Sequence, residues 1–276
     1  MRIHGRVGVL AAMTCNQTRR RMLLNGKVAL VTGASRGIGA AIARELAAQG
    51  AAVGVNYYRS EAAAGEVVAA IQSAGGRAVA LAADVRDGDA VRMMADRLAA
   101  EFGGVDVLVN NALHNYRFDP VANVPFERMD WDGFQDQIDG TVRAAVHTCQ
   151  AVLPHFRARG GGRIVNILTN LITHPVVQYH AYTTAKSAML GFSRNLAAEL
   201  GPENVTVNMI AGGLIMTTAA SEPTTPEVQE IVRGSTPLRR LGQPDDIARA
   251  VTALASDLLG FATGQYIAVD GGLTMP

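Results

Sequence analysis

The sequence predicts an α/β fold in which a single, doubly wound sheet of seven parallel strands carries helices on both faces. From residue 27 to the C-terminus, short apolar runs alternate with helix-length segments, which is the pattern of consecutive β–α–β units. The length of 276 residues is within reach of one α/β domain, and a hydrophobic content of 49% is ample for a buried core. The predicted strands lie near residues 27–32, 52–56, 78–82, 106–110, 163–168, 205–210 and 265–269.

A glycine-rich turn, Thr32 to Gly39, follows the first strand and opens a helix with apolar periodicity at residues 42 to 48. Gly33 permits the tight turn, Gly37 lets a phosphate approach the backbone, and Gly39 lets the helix pack closely on the strand. The N–H groups and the dipole at the start of the helix attract an anion. The turn therefore predicts a cradle for the pyrophosphate of a dinucleotide, although strand-to-helix turns also use glycine for purely structural reasons.

A second motif lies far downstream, where Tyr182 and Lys186 are four residues apart on a predicted helix and therefore share one face. Thr169 precedes them at the end of the apolar strand near residues 163–168. A phenol is a poor proton donor or acceptor at neutral pH, but an ammonium group beside it stabilises the phenolate and lowers the phenol pKa toward the working range. The pair indicates acid–base chemistry; the alternative is a surface helix that carries Tyr and Lys by chance.

The glycine turn and the Tyr182–Lys186 pair, in this order and at this separation, resemble the short-chain dehydrogenase/reductase family from about Asn25 to the C-terminus. Within that family the chain is most similar to the reductases named 3-oxoacyl-acyl-carrier-protein reductase, a name that constrains the substrate only weakly. Further segments agree with the resemblance: Asp84-Val85, Asn110-Asn111-Ala112, Thr206-Val207-Asn208, Thr263-Gly264 and Val269-Asp270-Gly271-Gly272.

The resemblance implies a Rossmann domain over residues 26–276 that transfers a hydride between NADP(H) and a carbonyl or alcohol carbon. A 3-oxoacyl thioester is one candidate substrate, and a quinone, a sugar or another small ketone are the alternatives. Tyr182 would donate the proton, Lys186 would lower the Tyr182 pKa and hold the nicotinamide ribose, and Thr169, in the family's serine position, would orient the substrate oxygen. A substrate lid near residues 212–240 and a homotetramer are also implied.

A protein that senses NADP(H) without turnover is a second hypothesis. The Tyr182–Lys186 pair argues against it, because sensing requires only the nucleotide site.

Cofactor preference depends on the end of the second strand, where NAD-preferring family members carry an acid that binds the ribose hydroxyls. This chain has no acid in the segment Asn56 to Arg59, and both Arg36 and Arg59 can supply positive charge to a 2′-phosphate. NADP(H) is therefore favoured, although either arginine could equally be a solvated surface residue. By resemblance, Asp84 would accept a hydrogen bond from the adenine amino group; a helix-capping or turn Asp is the alternative. The residues expected to contact the cofactor are Gly33, Ser35, Arg36, Gly37, Ile38, Gly39, Asn56, Tyr57, Arg59, Asp84, Val85, Asn111, Ala112, Tyr182, Lys186, Gly213, Ile215 and Thr217.

Two loop positions depart from the family pattern. Leu113 replaces the glycine that usually follows Asn-Asn-Ala, and Gly212 replaces the proline before Gly213. The apolar lid residues at 214–216 indicate a partly apolar substrate, though core packing explains them as well. Further polar residues in loops could face the substrate or simply lie on the loop surface: His114, Asn115, Tyr116, His174, Tyr179 and His180.

The third departure lies in a long predicted helix, Trp131 to Arg159, where the family often has an asparagine that supports a proton relay. Counting back from Pro154 places Thr141 at that position, with Asp139 as the rival. An apolar stripe with the three- and four-residue spacing of a buried helix face runs along this segment: Phe134, Ile138, Val142, Ala145, Cys149, Val152 and Phe156. Thr141 falls on the edge of this stripe and Asp139 points well away from it, so Thr141 is the expected relay residue.

Charge and composition argue against several partner classes. Residues 1–25 hold five Arg and no acid, which leaves 20 basic and 24 acidic residues in the remainder, and a mildly acidic body disfavours a nucleic-acid surface. The sequence has no run of 18 or more apolar residues to span a membrane, and no His, Cys and Asp cluster with the spacing of metal ligands. The two cysteines, Cys15 and Cys149, make no disulfide framework, so we expect a cytoplasmic protein.

We interpret residues 1–25 as a disordered extension or as the result of a wrongly assigned start codon, with Met13 or Met22 as the true start. The arginines and the short apolar stretch within this segment resemble an export signal only weakly, because no proper apolar region separates the last arginines from the first strand. A targeting signal is the alternative.

Overall fold

A computed structural model describes residues 22–113, 124–216, 218 and 221–275 of the chain. In this part of the protein, seven parallel strands form one sheet. The strands are β1 (Val28–Val31), β2 (Ala52–Tyr57), β3 (Arg77–Ala82), β4 (Val107–Asn110), β5 (Gly162–Thr169), β6 (Val205–Gly212) and β7 (Tyr266–Val269). Their order across the sheet is β3-β2-β1-β4-β5-β6-β7, so the predicted α/β class and its single seven-stranded sheet are confirmed.

Helices cover both faces of the sheet, as predicted. The α-helices of the described residues are α1 (Gly37–Ala48), α2 (Glu61–Ser73), α3 (Gly88–Phe102), α4 (Trp131–Ile138), α5 (Ala144–Arg159), α6 (His180–Leu200), α7 (Pro226–Ser235) and α8 (Pro244–Ala255). Apolar side chains of α1, α2 and α8 pack on one face, whereas those of α3, α5 and α6 pack on the other. This double covering explains why the central strands are continuous apolar runs rather than alternating ones.

Local sequence signals explain where several helices begin and end. The Asp87 side chain caps α3 by accepting hydrogen bonds from the backbone of its first turn, and Gly103 ends that helix at a φ of +87°. Gln243 and Asp246 form a capping box at the start of α8, whose first residue is Pro244. These contacts satisfy backbone groups that a helix terminus leaves unpaired.

Hydrogen bonds tie together the carboxyl ends of β1 and β4, the two neighbouring strands at which the strand order reverses. The Thr32 hydroxyl donates to the Val109 carbonyl (3.2 Å) and accepts from the backbone N–H groups of Asn111 (2.9 Å) and Ala112 (3.0 Å). The Asn111 amide donates in turn to the carbonyls of Thr32 (2.9 Å) and Gly33 (3.1 Å). In an open parallel sheet, this reversal point is where a crevice for ligands forms.

The helix predicted to run without interruption from Trp131 to Arg159 is divided by a π-helical turn, Asp139–Arg143, between α4 and α5. A π turn inserts an extra residue and changes the angular phase, so a count at 100° per residue does not hold across it. The stripe is therefore fully buried only on α5, from Ala145 to Phe156, while its members on α4 and in the π turn are partly exposed. The Thr141 side chain lies inside the π turn and is buried.

The chain is already packed against the folded body just before the predicted boundary at residue 25. Leu24 is 1% exposed and packs in the core, and its backbone N–H donates to the Gln49 carbonyl (2.9 Å). Residues 22–25 therefore belong to the body and not to an extension, a tertiary contact that no local pattern signals. The rest of the predicted extension, residues 1–21, lies outside the described residues.

The predicted lid, near residues 212–240, connects β6 to α8. Ile215 forms a parallel β-bridge with Gly242, which joins the two ends of this segment. Between them, α7 begins with the Thr225 side chain accepting from the Val228 N–H, and none of its ten residues is buried. The segment thus has little core of its own.

We predict that Leu24→Ala lowers the free energy of unfolding by about 2 to 4 kcal/mol, because truncation leaves a cavity in a closely packed site. The matched control is Leu23→Ala, since Leu23 is 37% exposed, and its effect should stay within about 0.5 kcal/mol. Urea titration of both variants measures the difference. Equal stabilities of the two variants would show that residues 22–25 do not support the fold.

Candidate active site

A cavity of about 770 Å³ opens at the carboxyl ends of the strands, between the turn after β1 and the segment before α8. Except for Thr141 and Thr217, the predicted site residues all line it: Gly33, Ser35, Arg36, Gly37, Ile38, Gly39, Asn56, Tyr57, Arg59, Asp84, Val85, Asn111, Ala112, Thr169, Tyr182, Lys186, Gly213 and Ile215. Thr217 lies outside the described residues, as do His114, Asn115 and Tyr116. The structure therefore brings two sequence motifs some 150 residues apart to one cavity.

The glycine turn has the geometry of an anion cradle. Gly33 has a φ of +60°, which favours glycine, and a side chain at Gly39 would collide with the Gly33 carbonyl and the Asn111 amide. No side-chain hydrogen bond caps α1, and its first turn holds no acid. The positive end of the helix dipole is therefore available to a negatively charged group in the cavity, which fits the pyrophosphate of a dinucleotide.

Asn56 differs in role from the predicted cofactor contact. Its side-chain oxygen accepts from the Gly33 N–H (3.1 Å), and its amide nitrogen donates to the carbonyls of Leu81 (3.2 Å) and Ala83 (3.1 Å). The residue is 2% exposed. Because the Asn56 amide makes these bonds with the protein backbone, its role is to position the glycine turn against β2 and β3 rather than to bind a ligand.

Positive charge gathers where β2 and β3 end. The Arg36 guanidinium donates to the Ser60 hydroxyl, and the Arg59 guanidinium lies 4.7 Å from the centre of the Tyr58 ring. Sequence reasoning missed Arg86, which lines the same part of the cavity and forms an ion pair with Asp84 (2.7 Å). In the sequence, the position of Arg86 two residues after Asp84 could have indicated that it lies in the cavity wall.

Tyr182 and Lys186 project from the first turns of α6 toward Thr169, the last residue of β5. Both side chains are buried, at 6% and 5% exposure. The Lys186 ammonium donates to the Ile167 carbonyl (2.7 Å) and lies 5.8 Å from the centre of the Tyr182 ring. The two groups are therefore held side by side at the end of β5, below the open part of the cavity.

Burial dominates the ionisation of this pair. It lowers the pKa of Lys186 to about 8, because the charged ammonium loses hydration. It raises the pKa of the Tyr182 phenol, and a hydrogen bond with Thr169 acts in the opposite direction. We expected Lys186 to lower the pKa of Tyr182. In this structure, the largest effect on that pKa is instead the desolvation of the phenol, which raises it.

A second, small cavity of about 10 Å³ lies beside Lys186, and Thr141, Asn110 and Thr148 contribute to its walls. The rival residue Asp139 is engaged elsewhere, since its carboxylate accepts from Gln135 (2.9 Å) and pairs with Arg143 (3.2 Å). Of the two candidates, only Thr141 shares a cavity with Lys186. A cavity of this volume is near the lower limit for holding one water molecule.

Apolar side chains also line the large cavity. Its apolar wall consists of Leu171, Val176, Val177, Leu214, Val228, Val232 and Leu273. Of the loop residues considered from sequence, His174 and Tyr179 line the cavity, whereas the His180 ring packs against Phe126. The two valines of α7 and the contribution of Leu273 were not predicted, because their approach to the cavity depends on tertiary folding.

Among the described residues, no group of three or more His, Cys, Asp or Glu side chains is placed to hold a metal ion. Within the same residues, no helix has the length and apolar character needed to cross a bilayer.

Comparison with known sequences identifies oxidoreductases that are similar to this chain over most of its length. Residues 33–274 match a family model described as enoyl-(acyl carrier protein) reductase. An uncharacterised oxidoreductase of Methylorubrum extorquens is 40% identical over 253 residues, which cover 91% of this chain and 98% of the relative. A 3-oxoacyl-acyl-carrier-protein reductase of Staphylococcus epidermidis is 37% identical over 252 residues, covering 90% and 99% of the two chains.

Solved structures agree with these relatives. A short-chain dehydrogenase from Burkholderia cenocepacia in complex with NADP is similar at a TM-score of 0.81 and 36% identity, over 91% of this chain and 99% of that one. A 7α-hydroxysteroid dehydrogenase complexed with NADH and 7-oxo glycochenodeoxycholic acid is similar at a TM-score of 0.84 and 36% identity, covering 91% and 96%. With this agreement of fold, family model and sequence, the chain belongs to the short-chain dehydrogenase/reductase family of oxidoreductases.

Proposed function

We propose that the protein interconverts a carbonyl and its alcohol with NADP(H) as the hydride carrier. The observation that carries this proposal is the convergence of the glycine turn, Thr169, Tyr182 and Lys186 on one cavity. The known activities of relatives support it, because their names include a reductase of 3-oxoacyl groups and a hydroxysteroid dehydrogenase. We also propose a cytoplasmic homotetramer, which rests on the family resemblance alone.

The side chains divide the work of reduction among them. A bound nicotinamide supplies the hydride. Tyr182 donates its phenolic proton to the carbonyl oxygen as negative charge develops there, and the Thr169 hydroxyl donates a second hydrogen bond to that oxygen. The raised pKa of Tyr182 keeps the phenol protonated, which is the form that donates. In the reverse direction the phenolate accepts the proton of the alcohol.

Lys186 has two roles in this proposal. Its ammonium stabilises the phenolate that remains after proton transfer, and it binds the ribose hydroxyls of the cofactor. Thr141 would hold one water in the small cavity beside Lys186 and thereby return a proton toward the site. A threonine has fewer hydrogen-bonding groups than an asparagine, so this relay would be weaker than the family's usual one.

The preference for NADP(H) rests on charge at the end of β2. No carboxylate of the described residues lines the cavity beside Arg36 and Arg59, and the only acid in the cavity wall, Asp84, is paired with Arg86. A 2′-phosphate would therefore meet positive charge and no uncompensated acid. An NADP complex of one relative and an NADH complex of another show that the family accepts either cofactor.

The apolar wall favours a substrate with an apolar body next to the reacting carbonyl. A 3-oxoacyl thioester meets this requirement, and so does a bulky cyclic ketone or a quinone; a sugar fits it less well, because the hydroxyls that face the apolar wall would lose hydration. An NADPH oxidation assay with one member of each class tests the proposal. Binding of NADPH without turnover of any substrate would favour the sensing alternative.

We predict that Tyr182→Phe lowers kcat by at least tenfold, about 1.4 kcal/mol of transition-state stabilisation, while the Kd for NADPH changes by less than about twofold. Only the proton donor is removed, and the ring remains. Steady-state kinetics with the best substrate of the panel and fluorescence titration of NADPH measure the two quantities. Retention of more than a tenth of the wild-type kcat would assign the acid to another group.

We predict that the wild type binds NADPH more tightly than NADH, and that the double variant Arg36→Ala/Arg59→Ala loses about tenfold or more in affinity for NADPH and little for NADH. Arg44→Ala is the control, because Arg44 is an exposed residue of α1 that does not line the cavity. Titration of each variant with both cofactors gives the ratio of the Kd for NADH to the Kd for NADPH. A wild type that binds NADH as tightly as NADPH would contradict the preference.

We predict that kcat/KM for NADPH is constant below about pH 7 and falls as pH rises through about 8, the pKa of Lys186. Below that pH the side chain is an ammonium that attracts the cofactor; above it the amine is neutral and the attraction is lost. Lys186→Arg should keep its charge and show no fall up to pH 10, even if its overall rate is lower. A wild-type profile that stays flat to pH 9.5 would contradict this assignment.

A further inference from the structure

The Asp270 carboxylate, directly after β7, binds two separate parts of the chain beside the cavity. Its Oδ2 accepts a hydrogen bond from the side-chain amide of Asn170 (3.0 Å), the residue that follows Thr169 at the end of β5. The same oxygen accepts from the backbone N–H (3.0 Å) and the hydroxyl (2.6 Å) of Thr274, and Oδ1 accepts from the Gly272 N–H (3.1 Å). Hydrogen bonds to a charged acceptor are stronger than neutral ones, so this carboxylate firmly joins the end of β5 to the turn after β7.

The turn after β7 is also packed against the segment that follows α7. Gly271 and Gly272 have φ values of +72° and +86°, a region that favours glycine, and the Gly271 carbonyl accepts from the Leu238 N–H (3.1 Å). A Cβ atom on Gly271 would lie 2.6 Å from Thr236 Cγ2, and one on Gly272 would lie 3.1 Å from Pro237 Cγ. The turn is therefore held on this side by close contact of its backbone.

Leu273 lies within this turn, and its side chain lines the large cavity. The residues on both sides of Leu273, Gly272 and Thr274, bind the same carboxylate, so its backbone has little freedom to move. By contrast, Val228 and Val232 line the cavity from α7, a helix with no buried residue. A weakly packed helix can shift to admit a larger ligand, whereas a closely held side chain rejects atoms that overlap with it.

Residues of β7 and the turn after it also fix the position of the strand end that faces the reacting carbonyl. The Tyr266 phenol donates to the backbone carbonyl of Thr169 (2.9 Å), and Asp270 binds the side chain of Asn170. In the proposed reaction, the Thr169 hydroxyl binds the substrate oxygen. The place of that oxygen and the place of Leu273 are thus set by the same part of the chain, and the space between them has a fixed length.

We propose that Leu273 limits the size of the apolar group that a substrate can carry, and that Asp270 is the positioning residue that holds Leu273 in place. This inference rests on the proposed reduction of a carbonyl whose oxygen is bound by Thr169. The favoured substrate is a carbonyl compound whose apolar body is short on the side that faces Leu273. A larger body on the side that faces α7 is tolerated, because that wall can move.

The test measures kcat/KM with NADPH for a small and a large member of each candidate substrate class. The pairs are the N-acetylcysteamine thioesters of 3-oxobutanoate and 3-oxooctanoate, cyclohexanone and cyclododecanone, and naphthoquinone and phenanthrenequinone. The full-length wild type is compared with Leu273→Ala, Asp270→Ala, the double variant, Asp270→Asn and Thr274→Val. Met275→Ala and Asp257→Asn are the controls, because the two side chains are 82% and 89% exposed and neither lines the cavity.

The readout is the ratio of kcat/KM for the large substrate to kcat/KM for the small one. We expect Leu273→Ala to raise this ratio about tenfold, because the fixed end of the cavity gains room. Asp270→Ala should also raise it, and the double variant should equal Leu273→Ala, since Asp270 acts through Leu273. Asp270→Asn keeps part of the bonds and Thr274→Val loses only the hydroxyl bond, so each should raise the ratio about two- to threefold. Both controls should match the wild type.

An unchanged ratio in Leu273→Ala would overturn the inference, because Leu273 would then not limit the substrate. If Asp270→Ala lowers kcat/KM for both substrates by the same factor, Asp270 has only a structural role, and its assignment as a positioning residue is wrong. Should Asp270→Ala fail to fold, a wild-type ratio in both Asp270→Asn and Thr274→Val leads to the same conclusion. A wild type that oxidises NADPH with none of these compounds would reject the proposed function itself.

Discussion

The hydrogen bonds that hold the turn between β1 and α1 are the constraint on which the rest of the site depends. Thr32 and Asn111 tie this turn to the end of β4, and Asn56 ties it to β2. These side chains bond backbone groups of the turn that lie beyond Val31, the last paired residue of β1. Because the backbone is held from both sides, the amide groups at the start of α1 keep one orientation without any ligand to impose it.

The wall of the cavity combines charged and apolar side chains, and Lys186 is one of the residues that line it. Arginines line the part beside β2 and β3, while aliphatic side chains line the part beneath α7. Burial of the Lys186 ammonium is unfavourable, and it lowers the pKa of this group. The bond to the Ile167 carbonyl offsets part of that penalty. The charge of Lys186 is therefore weakly solvated, and the pKa of its ammonium group depends on which molecule occupies the cavity.

Sequence reasoning found the features whose causes are local. The strands of the central sheet are continuous apolar runs, and the glycine turn and the Tyr182–Lys186 pair are short motifs, so each was visible in a small window. The features it missed depend on residues distant in the chain. Leu24 is buried in the core, and its N–H donates to the Gln49 carbonyl, 25 residues further along the chain. The Asn56 side chain accepts a hydrogen bond from the turn 23 residues before it, and the π turn before α5 leaves no clear compositional mark.

Helix α7 has no buried residue, yet Val228 and Val232 face the cavity. Such a helix gains most of its apolar contact from whatever lies beneath it, and its own local unfolding is correspondingly easy. Each methylene that a substrate places against these valines can contribute up to about 0.8 kcal/mol, part of which is spent on ordering the helix. In a series of homologous substrates of increasing chain length, the affinity would therefore depend on how far each substrate orders α7. It would not depend only on how well the substrate fills a rigid cavity.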